Sequence, residues 1–303
     1  MNGILPLWKE KGMTSHDCVF KLRKILHTKK VGHTGTLDPE VEGVLPICIG
    51  RATKVASYIT DAGKEYIAKV SIGRSTETED AQGATVSRDD SDKVISREQL
   101  LEELQQLTGE ITQIPPMYSA VKVNGRRLYE YARKGIEVER PAKQVYIEEI
   151  ELLDEASVFS GKDVSFSIRV RCGKGTYIRT LAVQIGELFG YPAHMESLVR
   201  TVSGNFTQND CKTLAEVAQL MEERQVDSIL RPVEDVLTEF PRLEIDPDLL
   251  ESIRNGQVLP AVQLLQEHVS VILTYNGQVL AIYKNHPTKI GLMKPEKMLL
   301  SNE

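Results

Sequence analysis

KEYIAKVSI, residues 64–72, has the composition of a β-strand: Tyr66, Ile67, Val70 and Ile72 are aromatic or β-branched. About a hundred residues later, VSFSIRVR (164–171) alternates apolar and polar side chains, as a strand buried on one face does. Around these two segments the pattern changes period. Ser15 is placed to cap a helix whose apolar stripe is Val19, Leu22, Ile25 and Leu26. Ser96 with Gln99 has the form of a capping box, opening a helix through Leu100, Leu101, Leu104 and Leu107 that stops at Gly109. Residues 176–189 and 213–223 read as two more helices, and GRSTETEDAQG (73–83) as a polar, turn-rich connection.

Near the end, VSVILTYNGQVLAIYK (269–284) places two β-rich runs on either side of Asn276-Gly277, the dipeptide favoured in two-residue hairpin turns. A boundary is expected near 239–241. The chain is then read as a domain over 1–238 and a small β-rich module over 239–303.

Residues 32–54, GHTGTLDPEVEGVLPICIGRATK, carry Gly32, Gly35, Gly43 and Gly50 around His33 and Asp38. Glycine permits backbone angles that other residues avoid and lets a large ligand approach the main chain. Asp-Pro is also an ordinary turn opener, because Asp bonds its own backbone and Pro fixes φ. The phosphate-loop pattern G-x-x-x-x-G-K-[ST] is absent, here and at Gly173-Lys174-Gly175-Thr176, and no G-x-G-x-x-G occurs. A nucleotide cofactor is not expected.

At 303 residues with 41% hydrophobic content the chain is an ordinary globular one. It has no apolar run of about 18 residues, so no membrane span is expected. Lys9 and Glu10 arrive too early for a signal-peptide core. Cys18, Cys48, Cys172 and Cys211 form no Cys-x-x-Cys pair, which argues against structural zinc and a disulfide framework, and for a reducing cytoplasm.

The net charge of −6 hides segregation. Residues 1–60 hold nine Lys/Arg and five Asp/Glu, and residues 118–145 hold seven and three. Residues 167–180 carry Arg169, Arg171, Lys174 and Arg179 with no acid, whereas 214–270 carry twelve acids and four bases. A polyanion is recognised by a local basic surface, not by a global charge.

Five stretches in order, GHTGTLDP…GVLPICIGRATK, KEYIAKVSIGRSTETEDAQG, PPMYSAVKVNGRRLYEYARKG, RCGKGTYIRTLA and AHMESLVRTVSGNF, resemble the bacterial tRNA pseudouridine-55 synthase family. The likeness is strong over residues 1–210 and weaker in the C-terminal module. It implies an α+β fold, with helices flanking a curved, mostly antiparallel mixed sheet, and a PUA-type RNA-binding module at the C-terminus. It implies no metal, no organic cofactor and no guide RNA, with a monomer acting on the T-arm of tRNA.

By the same resemblance Asp38 is the catalytic aspartate, and His33 contacts RNA near it. Tyr66 stacks on the target base, Tyr177 is a second pocket tyrosine, and Leu198 lies at the pocket wall. Lys122, Arg126, Arg127, Arg133 and Lys134 fall in a segment, about 114–141, that grips the RNA; Lys174 is a further candidate for its backbone. The chemistry suits these types. The uracil must leave the stack before its N1–C1′ bond can break. A carboxylate can then attack sugar or ring, or remove a proton. Either role needs Asp38 ionised, and Arg179 would supply the opposite charge that favours that form. The competing reading is an RNA-binding or tRNA-folding protein in which catalysis is secondary or absent.

Overall fold

The computed structural model describes residues 1–300. The chain divides into two compact units, one of residues 1–40, 44–60 and 204–303 and the other of residues 41–43 and 61–203.

The second unit is built on a sheet whose strands lie in the order Gly109–Gln113, Lys143–Leu152, Val164–Cys172, Lys64–Ile72 and Ala193–Ser203. All four pairings are antiparallel. Glu42 and Gly43 add a parallel edge against Val199 and Arg200. Both strands singled out in the sequence are central, and both bury every second residue over most of their length. Register shifts at Met195/Ser197 and Arg200/Val202 mark bulges, which bend a strand and increase its twist. The helix Ile178–Leu188 packs on this sheet through Ile178, Leu181, Ala182 and Ile185.

The helix Arg97–Gln106 opens on the expected box: Ser96 Oγ accepts from Gln99 N, and Gln99 Oε1 accepts from Ser96 N. Leu100, Leu104 and Leu107 are buried at helical spacing, while Leu101, one position off that stripe, is exposed. GRSTETEDAQG is not only a connection. Its start, Arg74–Thr76, pairs with Thr85–Arg88.

In the first unit the strand Gly3–Lys9 lies beside Glu42–Ile49, whose residues from Val44 onward belong here, and Val31–His33 pairs antiparallel with that same strand. The first helix runs Ser15–Ile25, but its cap is Thr14, not Ser15. Thr14 shares a capping box with Asp17, which frees the Ser15 hydroxyl for another partner described below.

Residues 242–298 carry a five-stranded sheet in the order Arg242–Glu244, Ser270–Tyr275, Gln278–Asn285, Leu292–Met298 and Leu259–Pro260. The hairpin turn falls at Asn276 and Gly277, both with positive φ (49° and 74°), as a type I′ turn requires. Its strands read as continuous apolar runs because both faces are covered. Val271, Leu273, Leu280 and Tyr283 pack into a cluster with Ile245, Ile253 and Leu265. Ile272, Val279 and Ile282 face a different cluster with Ile4, Val44, Cys48 and Val55. The hydrophobic core of this unit is thus shared between the N-terminal segments and the C-terminal sheet.

Candidate active site

Asp38 sits on the loop between Val31–His33 and Glu42–Ile49, half-buried, with the backbone clamped on both sides. On one side the buried Ser15 Oγ accepts a hydrogen bond from Leu37 N at 2.9 Å. On the other, the Pro39 carbonyl accepts from Gly12 N at 2.9 Å and from the Lys9 ammonium at 3.1 Å. Lys9 is fully buried and also donates to the Glu10 carbonyl at 3.0 Å. Earlier in the loop, Thr34 is buried: its N–H and hydroxyl both donate to the Pro46 carbonyl, and its own carbonyl accepts from Thr60 Oγ1. His33 closes the short strand opposite Ile47 and is half-buried. An exposed Asp-Pro turn would need none of these long-range ties, which fix the backbone on both sides of Asp38.

Ser15→Ala is expected to destabilise the protein by about 1–3 kcal/mol, since it leaves the buried Leu37 N–H without its acceptor. Urea unfolding of the two proteins, with equal m-values, measures it.

In the second unit Tyr66 stands opposite Val170 on one side and Arg200 on the other. Leu198 stands opposite Ala68, two residues along, so Tyr66, Arg200 and Leu198 share the face that is buried. Arg200 is only 1% exposed, which sequence reasoning did not anticipate. Its backbone packs directly on Gly43, where a Cβ would stand 2.2 Å from the Arg200 carbonyl oxygen, and Gly43 has φ +132°.

Lys64 is on the same face, opposite Cys172 and Ser203, and donates to the Ala62 carbonyl. Burial, and then the neighbouring Arg200 charge, hold its pKa down to about 8. The sign follows: charged Lys64 opposes folding fully below about pH 8, and the opposition fades as pH rises from there toward 10.5. Lys64→Met is accordingly expected to be most stabilising relative to the parent below pH 8, with the difference shrinking toward pH 10.5. Stabilities from urea unfolding across that range test this; a difference that does not move with pH would refute it.

Tyr177 caps the helix Ile178–Leu188 with its backbone, and the buried amide of Gln113 holds that backbone in both directions. Gln113 Oε1 accepts from Tyr177 N at 2.9 Å, and Gln113 Nε2 donates to Tyr177 O at 3.2 Å and to Gln184 Oε1. Arg179, in the first turn of the same helix, is 5% exposed. Its two terminal nitrogens donate to the carbonyls of Thr78 and Tyr118, each at 2.9 Å. Beside it Glu79 accepts from Thr180 Oγ1 at 2.8 Å and lies 3.8 Å from Arg140. Burial raises the Glu79 carboxyl above its ordinary range, against the pull of Thr180 and the two arginines. The segments around 78 and 118 are thereby tied to one helix start.

The stretch around 122–134 is a hairpin followed by a short helix. Lys122–Val123 pairs with Arg126–Arg127 across Asn124 and Gly125, both with positive φ, and Leu128–Ala132 is helical. Asn124-Gly125 is the same signal that marked the later hairpin. Lys122, Arg126, Arg127, Arg133 and Lys134 are exposed, and the Arg127 and Arg133 guanidinium groups lie over the Tyr129 ring at 5.9 and 5.2 Å. Lys174 pairs with Asp61 at 3.0 Å on the surface, a contact of small energetic weight.

Among the described residues no group of three or more His, Cys, Asp or Glu is arranged to hold a metal ion. No helix there is long and apolar enough to cross a membrane. Burial pushes the Cys48 thiol up to about 12 and Cys172 to about 11, so neither is poised as a nucleophile.

A family model described as TruB family pseudouridylate synthase (N terminal domain) matches residues 23–178. One described as tRNA pseudouridylate synthase B C-terminal domain matches residues 179–238. The chain is 58% identical over 301 residues to the tRNA pseudouridine synthase B of Listeria innocua, covering 99% of this chain and 98% of that protein. It is 50% identical over 303 residues to the protein of the same name in Bacillus cereus, covering 100% and 99%. Among solved structures, a Cbf5-Nop10-Gar1 complex contains a chain with a TM-score of 0.71 and 26% identity, over 98% of this chain and 85% of that one.

Proposed function

Since the chain belongs to the TruB family of pseudouridylate synthases, we propose that it isomerises uridine to pseudouridine at position 55 in the TΨC arm of tRNA. The observation that carries the residue assignment is the clamped loop: the backbone on both sides of Asp38 is held by partners more than twenty residues away in sequence. That is what a reacting carboxylate needs and a surface turn does not.

The reaction breaks the uracil N1–C1′ bond, turns the base, and joins C5 to C1′; the proton lost from C5 is balanced by one gained at N1. No electrons are gained or lost overall, so the work falls to positioning, charge and proton transfer. Asp38 acts on the extruded nucleotide as nucleophile or base. Tyr66 offers a ring for the base to stack on, with Leu198 as apolar wall on the same sheet face, and Tyr177 lines the pocket at the helix start. Arg179 supplies the positive charge that favours an ionised carboxylate, and His33 contacts the RNA close to Asp38.

The exposed cations Lys122, Arg126 and Arg127, with Lys174, engage phosphates and make binding salt-dependent. The sheet over 239–303 serves as a PUA-type RNA-binding module. The protein acts on tRNA alone, as a monomer in the cytoplasm, without guide RNA or cofactor.

The test uses purified protein, an unmodified tRNA transcript and a chelator, with pseudouridine mapped along the RNA and a transcript bearing C at position 55 as control. Pseudouridine at 55, and none elsewhere in either transcript, is the expected result. Tight binding with no modification would instead favour an RNA-binding protein without this catalysis.

A further inference from the structure

The segment 114–141 leaves and rejoins the second unit at a neck. It begins directly after Gln113, the last residue of the strand Gly109–Gln113, and it ends just before Lys143, which stands opposite Gln113 in the sheet. Across the neck Arg140 Nη1 donates to the Pro115 carbonyl at 3.0 Å, a tie between residues 25 apart in sequence. Beyond it the hairpin and short helix bond to their own surroundings. Tyr129 N donates to Ser119 O at 3.2 Å, Leu128 N to Val121 O at 2.8 Å, and the Tyr131 hydroxyl to Val123 O at 3.0 Å. Residues 133–137 are exposed, and Gly135 among them has φ +62°.

One carboxylate stands against this neck. Glu79 Oε1 lies 3.8 Å from the same Arg140 nitrogen, and Glu79 Oε2 accepts from Thr180 Oγ1 at 2.8 Å, in the first turn of Ile178–Leu188. Its backbone carbonyl accepts from Met195 N at 3.0 Å, on the strand that carries Leu198. The adjacent Arg179 bonds the carbonyls of Thr78, one residue before Glu79, and of Tyr118, inside the segment. The Glu79 side chain is 18% exposed and that of Arg140 33%, so the pair is withdrawn from water. A carboxylate in that position is costly unless charged and hydrogen-bonding groups face it. Glu79 also has φ +62°, a left-handed conformation rare outside glycine, kept where the surroundings over-determine it and concentrated at binding and switching sites.

A pin that served folding alone would have no reason to join three parts that each serve the substrate: the gripping segment, the helix start with Tyr177 and Arg179, and the strand with Leu198. RNA held by the segment can bias the helix start only through groups that join the two. We propose that Glu79 is a positioning residue for the isomerisation, and that with Arg140 it makes the seating of RNA by the segment and the placement of Tyr177 and Arg179 a single event. The inference rests on the reading of 114–141 as the segment that grips tRNA.

The test compares wild type with Glu79→Gln, Arg140→Gln and the double variant. Glu79→Gln keeps an oxygen for Thr180 and removes the charge that faces Arg140; Arg140→Gln removes the other half of the pair. Single-turnover rates at saturating enzyme are measured beside tRNA affinity. Each single variant is expected to slow the reaction about tenfold with Kd within about twofold, and the double variant to be about as slow as either alone, because groups that act through one contact are not additive. Hydrogen exchange gives a readout free of the chemistry. On adding tRNA, wild type should gain protection in both 116–139 and 176–182, and Glu79→Gln in 116–139 alone.

A loss of about a hundredfold in the double variant, the additive result, would overturn the inference. So would protection of 176–182 that persists in Glu79→Gln. Losses that track a lower Tm would mark the pair as structural, and weaker binding with a flatter salt dependence in Arg140→Gln alone would make Arg140 a phosphate contact; either refutes the proposed role. If wild type forms no pseudouridine, the reaction reading fails, while the exchange comparison still decides the junction.

Discussion

Asp38→Asn is expected to lower pseudouridine formation by at least about four orders of magnitude, the scale of loss when a reacting group itself is removed. The substitution keeps shape and volume and removes only the ability to ionise. The backbone on either side of the carboxylate is held by its neighbours, Leu37 N with Ser15 Oγ and Pro39 O with Gly12 N and Lys9, and the substitution leaves those contacts in place. The affinity for tRNA should remain, since phosphate contacts dominate it. Single-turnover rates with saturating enzyme measure the chemical step directly. Substantial turnover in the variant would transfer the catalytic role to another residue.

Gly43→Ala has the second largest expected effect, and it is one of stability. The new methyl would stand 2.2 Å from the Arg200 carbonyl oxygen and 2.6 Å from its nitrogen, both backbone atoms of a paired strand that cannot swing aside. The φ of +132° is itself closed to an alanine. Clash and strain together place the cost at roughly 4 kcal/mol or more, in the range reserved for a few named mechanisms. On a chain this long that lowers Tm by roughly 10 °C. Turnover should fall as well, because Gly43 is only five residues after Asp38 and the exit of the loop would have to move. Gly32→Ala is the internal control: a Cβ there meets nothing within 4 Å, and near-parental stability is expected. Equal stabilities for the two variants would show that the Gly43 contact is not a constraint.

What was legible in the sequence was local. The strand Lys64–Ile72, the capping box at Ser96 and Gln99, and the hairpin at Asn276-Gly277 each depend on side chains within a few residues of one another. Torsion preference and hydrophobic period express themselves at that range without help from the rest of the chain. The slips were local too. Thr14 rather than Ser15 caps the first helix, because two adjacent hydroxyls compete and Thr14 has Asp17 at the right spacing. The hairpin at Asn124-Gly125 carries the same dipeptide as the one at Asn276-Gly277, but its strands are only two residues long and show no apolar alternation. Asp38, Tyr66, Tyr177, Arg179 and Leu198 were picked out only because ordered motifs resemble a family; periodicity alone reads Tyr66 and Leu198 as ordinary core.

The sequence by itself determined the elements, their caps and turns, the segregation of charge, and through its motifs the family and the candidate residues. Tertiary structure alone decided which distant groups meet. Ser15 bonds Leu37 across 22 residues, Lys9 bonds Pro39 across 30, and Gln113 holds Tyr177 across 64. It alone buried Arg200 and set its backbone against Gly43, and it grouped Lys30, Arg51 and Arg254 around one cleft. The reason is physical. A hydroxyl, an ammonium or an amide carries no sequence mark of its partner; whether it is a solvated surface group or a buried clamp depends on what the fold brings within about 3 Å of it.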